Sequence, residues 1–125
     1  MRENEISAII LDTCIKLHSM YGPGLFESVY EEVLCYELTK RNLLVERQKP
    51  IPFIHEEIKL DAGFRADLVV EHKVLMEIKS VQPVADVHFK QVQTYLKLTG
   101  IKLGLLINFN ESLLKDGYHR IAYKL

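Results

Sequence analysis

The sequence predicts an α/β (α+β) protein: a mixed central β-sheet flanked by helices, its elements in the order helix, helix, strand, hairpin, helix, strand, strand. Three observations carry this expectation. Apolar residues recur at steps of three and four, then alternate, then return to helical spacing along the chain. Leu103 to Asn108 is a nearly all-apolar run, the pattern of a strand buried on both faces. A chain of 125 residues with 48% hydrophobic and 26% charged side chains suits one hydrophobic core, so a single domain over residues 1–125 is expected.

The first helix runs from Glu3 to Met20, where Ile6, Ile9, Ile10, Thr13, Cys14 and Leu17 form an amphipathic stripe. Tyr21-Gly22-Pro23-Gly24 stops it, because a proline between glycines breaks a helix. A second helix is predicted from Leu25 to Arg41, with Phe26, Val29, Tyr30, Val33, Leu34 and Leu38 as its buried stripe. Leu43 to Leu60 reads as extended chain, and Pro50 and Pro52 mark it as an edge or bulged strand. Phe64–Val70 and Val74–Val81 alternate strictly and are joined by Glu71-His72-Lys73, a hairpin. The third helix spans Ala85 to Thr99 with Val84, Val87, Gln91, Tyr95 and Leu98 on one face, and Gly100 closes it. The buried strand Leu103–Asn108 follows, then a turn at Lys115-Asp116-Gly117 and a last strand, Tyr118–Lys124.

Composition narrows the function classes. Sixteen Lys and Arg against seventeen Asp and Glu give a net charge of -1, which argues against grip on a polyanion by a global positive field. The charge is uneven: residues 1–40 carry 3 basic and 7 acidic side chains, residues 81–125 carry 6 and 3. A polyanion site would therefore be local and helped by a metal ion. No apolar run is long enough to span a membrane and no signal peptide opens the chain, so a cytoplasmic protein is expected. Cys14 and Cys35 match no zinc-ligand spacing and sit among apolar residues, as reduced core thiols do.

The hairpin is where chemistry concentrates. A three-residue loop centred on His72 sets Asp67 opposite Glu77 and Arg65 opposite Lys79. Two carboxylates facing each other require a cation, and hard oxygen donors with room for water suit Mg²⁺ or Mn²⁺. The same alternation also suits the polar face of a half-solvated hairpin. Gln91 interrupts an apolar stripe one turn from Tyr95, so both point to one region. Glu27 and Tyr30 share a face of the second helix, although a first-turn carboxylate is favoured by the helix dipole alone.

Gly24-Leu25-Phe26-Glu27-Ser28-Val29-Tyr30 spells Gly-x-x-Glu-x-x-Tyr. It is followed by Asp67, by Glu77-Ile78-Lys79 and by Gln91-Val92-Gln93-Thr94-Tyr95. In this order the chain resembles the GxxExxY protein family of the PD-(D/E)XK nuclease superfamily. Asn108-Phe109 and Asp116-Gly117 are similar to that family's C-terminal part. One departure is Ala66, standing where the superfamily name expects proline before Asp67.

The resemblance implies a restriction-endonuclease-like core and a Mg²⁺- or Mn²⁺-dependent nuclease acting on DNA. It implies that Asp67, Glu77 and the Ile78 carbonyl hold the metal, with Glu27 completing or approaching its shell through water. Lys79 would orient the attacking water or stabilise the phosphorane. Gln91 and Tyr95 would position the site or touch the nucleic-acid backbone, with Tyr30, His88 and Lys90 as further substrate contacts. A homodimer spanning a duplex is the implied assembly, and an unidentified protein is a further expected partner. The alternative is a nuclease-fold domain that binds nucleic acid or protein without cleaving.

Overall fold

The computed structural model describes residues 1–61 and 63–125. Its elements are α1 (Glu3–Tyr21), α2 (Glu27–Lys40), β1 (Val45–Pro50), β2 (Phe53–His55), β3 (Ile58–Leu60), β4 (Arg65–Val70), β5 (Val74–Lys79), α3 (Asp86–Thr99), β6 (Leu103–Asn108), a single 3₁₀ turn at Leu114–Gly117 and β7 (Tyr118–Ala122). Five strands form one mixed sheet in the order β1-β4-β5-β6-β7. All neighbours are antiparallel except β5 and β6, which are joined through α3 as a parallel pair requires. Helices cover both faces, so the predicted α+β architecture holds, and it is that of a restriction-endonuclease-like fold.

The sheet's alternation builds two cores. Ile6, Ile10, Cys14 and Leu17 of α1 and Tyr30, Leu34 and Leu38 of α2 pack on Leu68, Val70, Val74, Met76, Ile78, Leu103, Leu105 and Ile107. Val92, Tyr95 and Leu96 of α3 pack on Val69, Leu75 and Leu106 from the opposite side. Gly104 is what lets α3 seat on β6, since a β-carbon there would lie 2.6 Å from Val92 Cγ1. Among the described residues no helix is long and apolar enough to cross a membrane.

Several expectations are corrected. The extended segment before β4 is not one strand: after edge strand β1, Phe53–His55 and Ile58–Leu60 pair as a separate two-stranded hairpin turned at Glu56, whose φ is 52°. Phe26 is 81% exposed and Val29 is also exposed, because α2 starts only at Glu27 and its packed stripe is narrower, with the buried carboxylate Glu31 beside it. In α3, Val87 is exposed and Gln91 lies at the rim. The buried stripe is instead Val92, Tyr95 and Leu96, flanked by Phe89, one step round the helix from the predicted face. Cys14 is buried, and burial pushes its thiol pKa far up, whereas Cys35 is only half-buried.

Candidate active site

The site forms where the sheet stops being a ladder. Near their turn β4 and β5 pair in the predicted register, Val70 with Val74, Val69 with Leu75 and Leu68 with Met76. The pairing ends there. At the next position the acidic side chains replace the main-chain acceptors: Asp67 N–H donates to Glu77 Oε2 at 2.8 Å, and Ile78 N–H donates to Asp67 Oδ2 at 2.8 Å. Asp67 and Glu77 therefore meet as the hairpin arithmetic requires, and each carboxylate braces the other's strand.

These carboxylates are held in a state that asks for positive charge. Glu77 is 4% exposed; burial, and then the neighbouring Asp67 charge, push its pKa up to about 8. Asp67 is raised as well, by burial first and by the charge of Glu31. The Ile78 hydrogen bond and Lys79 oppose the rise. Lys79, two residues along β5 from Glu77, is half-buried and lowers the pKa of both acids.

Main-chain geometry adds a third oxygen. The Lys79 carbonyl accepts from Phe109 N–H, toward β6. Successive carbonyls of a strand point to opposite edges, so that of Ile78 points to the splayed side, where its own N–H already meets Asp67. Among the described residues no three His, Cys, Asp or Glu side chains converge as a ready-made ligand set. Two carboxylates and one carbonyl leave several positions for water and phosphate oxygens, which fits Mg²⁺ or Mn²⁺ and not a closed structural site.

Glu27 approaches from α2. Its Oε2 accepts from Ser80 N–H at 2.8 Å, which fixes the chain just beyond Glu77-Ile78-Lys79. Asn108, wholly buried at the end of β6, fixes the next residue: its Oδ1 accepts from Val81 N–H and its Nδ2 donates to the Val81 carbonyl, at 3.1 and 3.0 Å. A cleft of about 220 Å³ lined by Glu27, Ser28, Glu31, Gln48 and Asp67 opens onto this corner.

The remaining predicted residues divide. Gln91 Nε2 donates to Tyr95 Oη at 3.0 Å, so the two act as a unit. Tyr95 is 4% exposed, and its pKa is raised by burial and then by the charge of Glu77; it lies within the core and offers no surface for a polymer. Tyr30 is corrected outright. It is 1% exposed, stacked on Phe109 with centroids 4.1 Å apart. Its hydroxyl donates to the Gly22 carbonyl and accepts from Gly24 and Leu25 N–H, so it pins the Gly-Pro-Gly turn and has no capacity left for substrate. His88 Nδ1 accepts from Ala85 N–H at the start of α3. Lys90 is exposed on the same helix.

Three residues at the site escaped the sequence reading: Glu31, Arg47 and Gln48. Glu31 is buried, its Oε2 accepting from Arg47 Nε and Nη2 and its Oε1 from Gln48 Nε2. The spacing of Glu27 and Glu31, one helical turn apart on α2, was the available signal.

A sequence model described as the PD-(D/E)XK nuclease superfamily matches residues 4–121. Neither a curated protein nor a solved structure matches the chain.

Proposed function

The chain belongs to the PD-(D/E)XK nuclease superfamily, and from that premise we propose that residues 1–125 act as one nuclease domain of the GxxExxY type, hydrolysing phosphodiester bonds of DNA with Mg²⁺ or Mn²⁺ in the cytoplasm. The observation that carries the reading is the cross-bracing of Asp67 and Glu77 at the open end of β4 and β5, with Lys79 beside them. A merely solvated hairpin would not bury Glu77 against a second, half-buried carboxylate.

Asp67, Glu77 and the Ile78 carbonyl would hold the ion, and Glu27 would meet its shell through water. A bound Mg²⁺ supplies Lewis-acid polarisation of the phosphodiester and a more acidic water. Lys79 orients that water and offsets the negative charge that grows on the phosphoryl oxygens. Glu27 and Asn108 hold Ser80 and Val81, so the peptide following the Glu-x-Lys strand keeps its place as substrate enters. The Gln91–Tyr95 pair backs Glu77 from the α3 side. Exposed Lys90 is left as a phosphate contact on α3. A second copy would set two such sites across a duplex.

The test is cleavage of duplex, single-stranded, branched and RNA substrates with Mg²⁺ or Mn²⁺. Cleavage that Glu77→Ala and Lys79→Ala abolish is the expected result. No cleavage of any of the four, together with no divalent-ion binding at Asp67 and Glu77, would instead favour a domain that binds without cutting. Sedimentation over a range of concentrations reads the dimer separately.

A further inference from the structure

Asp67 sits at two breaks in the sheet, and only one of them is explained by Glu77. On its other side β1 pairs with β4 in constant register, Arg47 with Leu68 and then Lys49 with Ala66, yet the Gln48–Asp67 pair between them is missing from the ladder. No residue is inserted, so this is a local twist and not a bulge. Its cause is Gln48, whose φ is 47°, a left-handed conformation that a glutamine inside a strand has no intrinsic reason to adopt. The cores on the two faces register the twist: Leu68 packs with α1 and α2, whereas Ala66, two residues earlier, belongs to the α3 side.

What the twist accomplishes is the aim of one amide. Gln48 Nε2 donates to Glu31 Oε1 at 2.6 Å and to Asp67 Oδ1 at 3.3 Å, bridging the two carboxylates. A Glu31 carboxylate paired with Arg47 accepts hydrogen bonds, so the nitrogen and not the oxygen of the amide faces this corner. Glu31 is in turn fixed from behind by Arg47, two of whose donors meet Oε2 and leave Oε1 for Gln48. Both Asp67 oxygens are thereby assigned, Oδ2 to Ile78 N–H and Oδ1 to the amide. The Gln48 carbonyl displaced by the twist is capped by Arg65 Nη1 at 3.3 Å.

We infer that Arg47, Glu31 and Gln48 form a positioning relay that orients the metal-ligating carboxylate of Asp67, and that the left-handed backbone at Gln48 is strain retained for this purpose. The inference rests on the metal site proposed above and adds to it residues outside the acidic pair and its lysine. Backbone strain held at a working site is relieved when the side chain that needs it is removed. A contact kept only to tie β1 to α2 would behave in the opposite way.

Gln48→Gly separates the two. Glycine accepts a φ of 47° without penalty and carries no amide. The expected result is Mn²⁺ affinity about tenfold weaker than wild type by calorimetric titration, the scale on which residues that orient metal ligands act. The thermal unfolding midpoint of the metal-free protein should be unchanged or higher. Glu31→Gln, which frees the Gln48 amide to flip, should weaken Mn²⁺ binding in the same direction. Equal Mn²⁺ affinities for wild type and Gln48→Gly, with Glu77→Ala abolishing binding, overturn the relay while the metal site stands. A lowered midpoint with unchanged affinity also overturns it, in favour of a structural tie. Wild-type protein that takes up no Mn²⁺ overturns the site, and the relay with it.

Discussion

Near its turn the β4–β5 hairpin is an unbroken ladder with apolar side chains on both faces, Leu68 opposite Met76 and Val70 opposite Val74, all fully buried. One residue beyond Leu68 the same two strands separate, and Asp67 and Glu77 take over the hydrogen bonds that carbonyls would make. The ladder stops where the chemistry reverses. The closed end stabilises the fold by removing apolar surface from water, and the open end gives back part of that gain by burying charge. A splayed strand end of this kind inside a sheet is costly to build, and it persists because the closed end over-determines the position of both strands.

The sharpest way to break the comparison is one substitution at each end. Glu77→Gln keeps the volume and an oxygen for Asp67 N–H but removes the charge, and Mg²⁺-dependent cleavage should fall to background. Its metal-free form should unfold at a higher temperature than wild type at pH 8. Leu68→Ala should do the reverse, costing about 2–5 kcal/mol of stability as buried leucine truncations do, with Mn²⁺ affinity unchanged. Denaturant unfolding and calorimetry on the same preparations read both. If Leu68→Ala weakens the ion as much as it weakens the fold, the two ends are one cooperative unit and the contrast fails.

A pH series sharpens the contrast. The pKa of Glu77 in the folded protein is raised to about 8 from an ordinary value of 4.5, so the folded state holds a proton that the unfolded chain has released. Folded protein therefore binds more protons between these values, and stability must fall as pH rises through the window, by up to about 1.4 kcal/mol per unit for one such group. Its contribution is fully present below about pH 4.5 and gone above about pH 8. Urea midpoints of metal-free protein should decline from pH 5 to pH 8. Glu77→Gln should flatten that decline, and saturating Mg²⁺ should reverse it by favouring the ionised form. An unchanged slope in Glu77→Gln would assign the decline to other groups.

How much of this was legible in the sequence follows the same division. The ladder end was fully readable, because period-two alternation and a three-residue turn fix the register, and the register brings Asp67 to Glu77. The Leu103–Asn108 strand and the left-handed Gly100 at the end of α3 were also readable, since a short, nearly all-apolar run after a terminal glycine fits a buried strand better than a helix. What escaped were features set by tertiary context. Glu31 looks like a surface residue on an amphipathic helix until Arg47 closes over it. Gln48 carries no signal of its twist, because glutamine has no preference for the left-handed region. Tyr30 misled in the other direction: its place in Gly-x-x-Glu-x-x-Tyr suggested a substrate contact, and the structure spends its hydroxyl on the Gly-Pro-Gly turn.

The smallest expected effect comes from the clamp on the chain after β5, where Glu27 and Asn108 hold adjacent residues in different surroundings. Asn108 is wholly buried and satisfies both the N–H and the carbonyl of Val81, whereas Glu27 is half-buried and makes a single bond to Ser80 N–H. Glu27→Gln keeps an acceptor for that bond and loses only its charge, so the stability cost should lie below about 1 kcal/mol, within the range of one exchanged hydrogen bond. If Glu27 serves only as a clamp, cleavage by this variant should follow its small stability loss. If it meets the ion through water, cleavage should fall well beyond that loss while the unfolding midpoint barely moves, and added Mn²⁺ should recover part of the activity. Comparing activity at low and high Mn²⁺ against the midpoint therefore decides whether the motif's glutamate belongs to the braced backbone or to the chemistry it surrounds.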